Sequence, residues 1–163
     1  MDKDQLHQKI EQMSDRERAV IARTAEALET MKENGYPFLG NFMNIVEEAS
    51  DQDGVFVCSM PVERHWWNPY RIVYGGVTAT LADMAMAWML ELRVSQDDKF
   101  VTLDMNVNYH KPGTGKKLIA RAVIQHQAGD VYQMGCEIRN DKDDLVVTAT
   151  GSFLRLRRGR REE

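Results

Sequence analysis

Asp83 stands in the middle of an apolar run, between Leu81-Ala82 and Met84-Ala85. An ionised carboxylate in such company is costly unless it is paired, shifted in pKa or put to use. No Lys or Arg lies four residues to either side of it. Gly75 and Gly76 open the same run, and Asn68 precedes Gly75 by seven residues. At a helix start the backbone N–H groups lack intrahelical acceptors, and the helix dipole favours negative charge there. Glycine also adds no side chain to keep a ligand off that backbone. Donors for a negative oxygen, a carboxylate, and a carboxamide able to hold a carbonyl or a water are the parts that attack on an acyl carbon requires. Each part has a plain alternative. Asp83 could pair with a buried cation such as Arg121, the glycines could serve only a tight turn into a helix, and Asn68 could begin an Asn-Pro turn with Pro69.

The element that must carry these residues spans 77–92, where apolar residues go nearly all the way round. That pattern predicts a long helix buried by surrounding structure. Ahead of it, residues 44–49 and 55–62 read as strands flanking the turn cluster Ser50-Asp51-Gln52-Asp53-Gly54. Beyond it, Val101, Leu103, Met105, Val107 and Tyr109 alternate with Thr102, Asp104, Asn106, Asn108 and His110. This is a two-faced strand, and Pro112-Gly113 ends it. Residues 118–127, 131–139 and 145–156 follow as strands joined by short turns. The order predicts an α+β domain, an antiparallel sheet wrapped round one long central helix.

The N-terminal part has helical period. Leu6, Ile10 and Met13 share a face, Ser14 and Glu17 form a capping box, and Ile21, Ala25, Leu28 and Met31 make a stripe that Asn34-Gly35 stops. After Tyr36-Pro37 the pattern turns strand-like, so the expected organisation is a helical extension over 1–36 and a main domain over 37–163. Two short helices also suggest a helix-turn-helix DNA reader, but a third helix is not evident and the charges alternate in sign. A packing element is the better reading.

The 163 residues are 43% hydrophobic and 28% charged with a net charge of −4, which fits one soluble globular domain and argues against nucleic acid as a partner. No apolar run reaches the length of a membrane span, and the charged start MDKDQLHQKIEQ has no signal-peptide core. Cys58 and Cys136 sit in strand-like runs without metal spacing, which predicts buried thiols in a reducing cytoplasm.

Order and motifs together resemble the hotdog fold, and within it the acyl-CoA thioesterases related to the phenylacetate-degradation enzyme. The resemblance rests on Asn68, on the Gly-Gly turn, on GGVTATLAD with Asp83 seven residues after Gly76, and on VTLDMNVNYHKP. It covers roughly the last three-quarters of the chain. The family usually has histidine where this chain has Tyr74, and the N-terminal helices lie outside the shared core. The resemblance implies hydrolysis of an acyl- or aryl-CoA thioester to free acid and CoA. Asp83 would act as general base or nucleophile, Gly75 and Gly76 as oxyanion donors, and Asn68 as a partner of the carbonyl or water. Thr102 occupies the strand position where relatives carry a Ser or Thr that places water. Tyr74 and Val77, flanking the glycines, would contact substrate. No cofactor and no metal are implied, since CoA is part of the substrate.

Helix geometry adds a constraint. Seven residues at about 100° each bring Asp83 and Gly76 to nearly the same side, but roughly 10 Å apart along the axis. An attacking oxygen must come to about 3 Å from its target carbon. One helix can hardly do both jobs, whereas a second copy packed antiparallel could set its Asp83 opposite the first copy's Gly76. The expected assembly is a homodimer at least, with a homotetramer as the fuller form, and the resemblance implies the same sharing.

Other features are weaker. His65-Trp66-Trp67 with Tyr70 could lid an acyl pocket, Met84, Met86 and Met89 could line one, and the arginines at 155, 157, 158, 160 and 161 could meet CoA phosphates. Core packing and a solvated tail are the plain readings. Two competing functions stand beside the thioesterase: a hotdog protein that binds or senses acyl-CoA without cleaving it, and a hotdog dehydratase. The dehydratase needs a catalytic His beside an acid, and no DxxxxH pattern occurs.

Overall fold

The computed structural model describes residues 1–157. Contacts divide the chain into two compact units, Met1–Asn44 and the remainder from Ile45. In the first unit, α1 (Lys3–Gln12) is capped by Asp2, whose side chain accepts from the Gln5 N–H. Helix α2 (Asp15–Asn34) starts at the expected capping box, with Ser14 and Glu17 satisfying each other's backbone N–H. It stops at Gly35, whose φ of 71° is the left-handed cap that glycine adopts without strain. The segment expected to turn strand-like after Pro37 instead forms a short helix, α3 (Phe38–Phe42). Side chains of α2 explain this: Arg23 donates to the carbonyls of Asn41 and Phe42, and the Asn34 and Asn41 carboxamides bond at 2.8 Å. These bonds take up polar groups that a strand would have presented to a neighbour.

The second unit is a six-stranded antiparallel sheet with one long helix, α4 (Gly75–Arg93). Its strands are β1 (Val46–Glu48), β2 (Val55–Pro61), β3 (Lys99–Tyr109), β4 (Lys117–Ala128), β5 (Val131–Asn140) and β6 (Leu145–Leu156), in the order β1-β2-β4-β5-β6-β3. The register lines up Phe56, Ala122, Cys136 and Ala149 in one row and Cys58, Ala120, Ile138 and Val147 in the next. All eight are buried. The row between them, Val57, Arg121, Glu137 and Thr148, points to the opposite face. Leu81, Ala82, Ala85, Met86, Met89 and Leu90 of α4 complete the core. Burying each large side chain there contributes about 1.5–3 kcal/mol. Cys58 and Cys136 are buried and unbridged. Among the described residues no helix is long and apolar enough to cross a membrane.

Two features depart from the sequence expectation. Helix α4 is not covered all round: Gly76 is exposed, and Val77, Thr80, Asp83, Met84, Ala87 and Glu91 are only half-buried, forming one open stripe. Strand β3 lies at the sheet edge beside β6 alone, and its apolar Val101, Leu103 and Tyr109 are 40%, 55% and 57% exposed. An open edge with apolar side chains is a surface that proteins usually cover.

Candidate active site

The loop ahead of α4 is pinned at several points. Asn68 N–H donates to the Ile72 carbonyl and Arg71 N–H to the Asn68 carbonyl, both at 2.9 Å. Tyr74 N–H donates to Trp66, and Val73 N–H to Gly113 beyond β3. Asn68 does form the local turn: its Oδ1 accepts from the N–H groups of Tyr70 at 2.9 Å and Ile72 at 3.4 Å. This orients the carboxamide, and none of the described residues accepts its Nδ2 hydrogens. Asn68 and Gly75 share a groove of about 260 Å³ with Thr78, Tyr109, Lys111 and Gly113.

Tyr74 is the N-cap of α4, offers no side-chain cap and is 49% exposed. Its carbonyl accepts from Val77 and Thr78, while no described residue accepts from the N–H groups of Gly75 and Gly76. The two glycines have different reasons to be glycine. A Cβ on Gly75 would sit 3.2 Å from the Tyr109 ring and hydroxyl. A Cβ on Gly76 would meet nothing within 4 Å, so nothing in its own chain requires the bare position.

Asp83 lies farther along the open stripe and accepts a 2.8 Å hydrogen bond from Thr102 Oγ1 to its Oδ1. The pairing with Arg121 considered above is not formed, because Arg121 binds Asp51 at 2.7 Å. Thr102 reaches α4 because of a bulge. The β3–β6 register slips between Thr102 and Asp104, leaving Leu103 as an extra residue. Strict alternation would send Thr102 and Tyr109, an odd number of residues apart, to opposite faces. With the bulge both hydroxyls meet α4, Thr102 at Asp83 and Tyr109 at the Gly75 carbonyl. The sequence pattern assigned Tyr109 to an apolar face, and no local signal marks the slip.

The predicted residues therefore form two groups. Asn68, Tyr74, Gly75, Gly76 and Val77 gather at the start of α4, and Asp83 and Thr102 gather about two turns on. Within one chain the groups do not meet. Tyr109 and Thr78 join the first group, and sequence reasoning missed both. Of the weaker candidates, Trp66 is buried in a short 3₁₀ turn (Arg64–Trp66) whose last carbonyl accepts from the Tyr74 N–H, and Tyr70 is exposed. His110 lines the groove that holds Asn68 and Gly75, and its ring bonds Thr148 at 2.8 Å. Met86 and Met89 are core, and only Met84 borders the open stripe. Arg155 and Arg157 pair with Asp98 and Asp130, whereas Arg158, Arg160 and Arg161 lie outside the described residues. Burial pushes the Cys58 thiol up to about 12 and raises Cys136 as well, so neither is a ready nucleophile.

Comparison with known proteins matches residues 70–147 to the family described as Thioesterase superfamily. A Bacillus halodurans protein whose crystal structure contains CoA is 30% identical, with a TM-score of 0.81 over 94% of this chain and 99% of that one. Human acyl-coenzyme A thioesterase 13 is 29% identical over 107 residues, 65% of this chain and 71% of that protein. A putative esterase of Haemophilus influenzae is 26% identical over 91 residues, 56% of this chain and 66% of that protein.

Proposed function

The chain belongs to the thioesterase superfamily, and on that premise we propose that it is an acyl-CoA thioesterase whose site is completed across a homodimer. The observation that carries the reading is the pair of unaccepted N–H groups at Gly75 and Gly76, at a helix start where Gly75 shares a groove with the oriented Asn68 amide. These groups suit the oxyanion that forms when a thioester carbonyl is attacked. Asp83, with one carboxylate oxygen fixed by Thr102, suits the attack itself, either by taking a proton from water or by adding to the carbonyl. Water is consumed, the C–S bond breaks, and acid and CoA thiol leave.

Two features support the dimer. The groups stand roughly 10 Å apart along one helix, too far for a single carbonyl to touch both. The α4 stripe that carries Gly76 and Asp83 is open, and the adjacent β3 edge exposes Val101 and Leu103. A two-fold partner antiparallel along that stripe would place its Asp83 opposite this chain's Gly76, giving two equivalent sites. Tyr74 favours a second reading, an acyl-CoA sensor, because it replaces the histidine usual at the turn.

Thiol release from aryl- and alkyl-CoA substrates by wild type and Asp83→Ala decides between them. The hydrolase predicts turnover that falls at least about a hundredfold in the folded variant. Binding of acyl-CoA without turnover in the wild type would replace it with the sensor.

A further inference from the structure

The Gly75 carbonyl receives two side-chain hydroxyls. Thr78 Oγ1 donates to it at 2.9 Å from within α4, and Tyr109 Oη donates at 3.1 Å from the end of β3. That carbonyl shares a planar peptide with the Gly76 N–H, so fixing one end fixes the direction of the other. Hydroxyls bonded to a carbonyl also polarise the peptide and strengthen its N–H as a donor. The preceding peptide is different: the Tyr74 carbonyl, which shares a plane with the Gly75 N–H, is held by backbone donors alone.

Packing points the same way. The Tyr109 ring lies so close to Gly75 that a Cβ there would touch it at 3.2 Å, yet the residue is more than half exposed. A side chain this open contributes little core burial, and its hydroxyl has one described acceptor, the Gly75 carbonyl. We propose that Tyr109, seconded by Thr78, is a positioning residue that aims and polarises the Gly76 N–H toward the oxyanion. The inference rests on the hydrolase reading above. It makes β3 serve both groups of the site, holding the carboxylate through Thr102 and the donor through Tyr109.

Tyr109→Phe keeps the ring on Gly75 and removes only the hydroxyl. We expect kcat to fall about five- to tenfold with KM within about twofold, the pattern for losing one modest hydrogen bond felt in the transition state. Thr78→Val should act in the same direction and Thr78→Ser should restore the rate. In Tyr109→Phe the Gly76 amide proton should move upfield by NMR beyond the scatter at remote residues, and the Gly75 amide should move less. Wild-type kcat in Tyr109→Phe, or a fall in kcat with the Gly76 amide unmoved, overturns the inference while leaving the hydrolase reading intact. If the wild type cleaves no thioester, the hydrolase reading falls, and the Gly76 amide shift alone then upholds or overturns the aiming role.

Discussion

Two variants that are inactive alone should be active when mixed. Asp83→Ala removes the carboxylate. Gly76→Val places a branched side chain over the helix start, where its Cβ meets nothing within 4 Å. Each homodimer then carries the same defect in both sites. In a mixed dimer built as proposed, one site combines both defects, and the other combines an intact helix start with an intact Asp83. Random exchange of equal amounts makes half of all dimers mixed, and each has one working site of two. The mixture should therefore regain about a quarter of wild-type activity per chain, and mixed dimers isolated with two different tags about half. Both parents should stay below about 1%. Thiol release before and after subunit exchange measures this directly. If isolated mixed dimers are no more active than their parents, the helix start and Asp83 work within one chain, and the distance argument along α4 is wrong.

Two further outcomes follow from individual contacts. Asn68→Asp keeps the oxygen that accepts from Tyr70 but removes the amide donor and adds negative charge, so kcat/KM should drop about ten- to a hundredfold with the melting temperature nearly unchanged. An Asn68→Asp enzyme with wild-type kinetics would leave Asn68 as a turn former only. Hydrogen bonds from Lys117 and then Ser59 hold Glu48 below the usual carboxylate range, and Lys111 with Asn140 does the same for Asp144. Groups with lowered folded pKa values stabilise fully above the unfolded value, about 4, and lose that contribution as pH falls through the folded one. The urea midpoint should thus decline below about pH 4, and Lys111→Met should flatten that decline; equal slopes in both proteins would remove Asp144 from the account.

What was legible in the sequence was what local pattern encodes. The Ser14–Glu17 cap, the Gly35 stop, the long helix and the alternation along the strands all lie within a few residues of their cause. The helix that carries both Gly76 and Asp83 was readable in the same way, and one short loop brings Asn68 to the groove beside Gly75. What escaped depends on residues distant in the chain. Helix α3 forms because Arg23 and Asn34 on another helix take up its polar groups. The bulge at Leu103 follows from pairing with β6, and it alone puts Thr102 and Tyr109 on the same side. The open stripe of α4 looked like core because apolar Val77, Met84 and Ala87 fill the gaps between its few polar residues; composition does not distinguish a covered face from one left open.

A thiol-releasing enzyme bathes its own cysteines in product. Free CoA can exchange into disulfides, and an exposed thiolate would accumulate mixed disulfides with it under oxidation. Here both cysteines are interior and Cys58 titrates only near 12, so at neutral pH the chain holds almost no thiolate to take part. The protein is a chemical bystander to the thiol it liberates. Its turnover should be insensitive to glutathione redox ratio, and a thiol-reactive dye added to the native protein should report released CoA with little background from the chain.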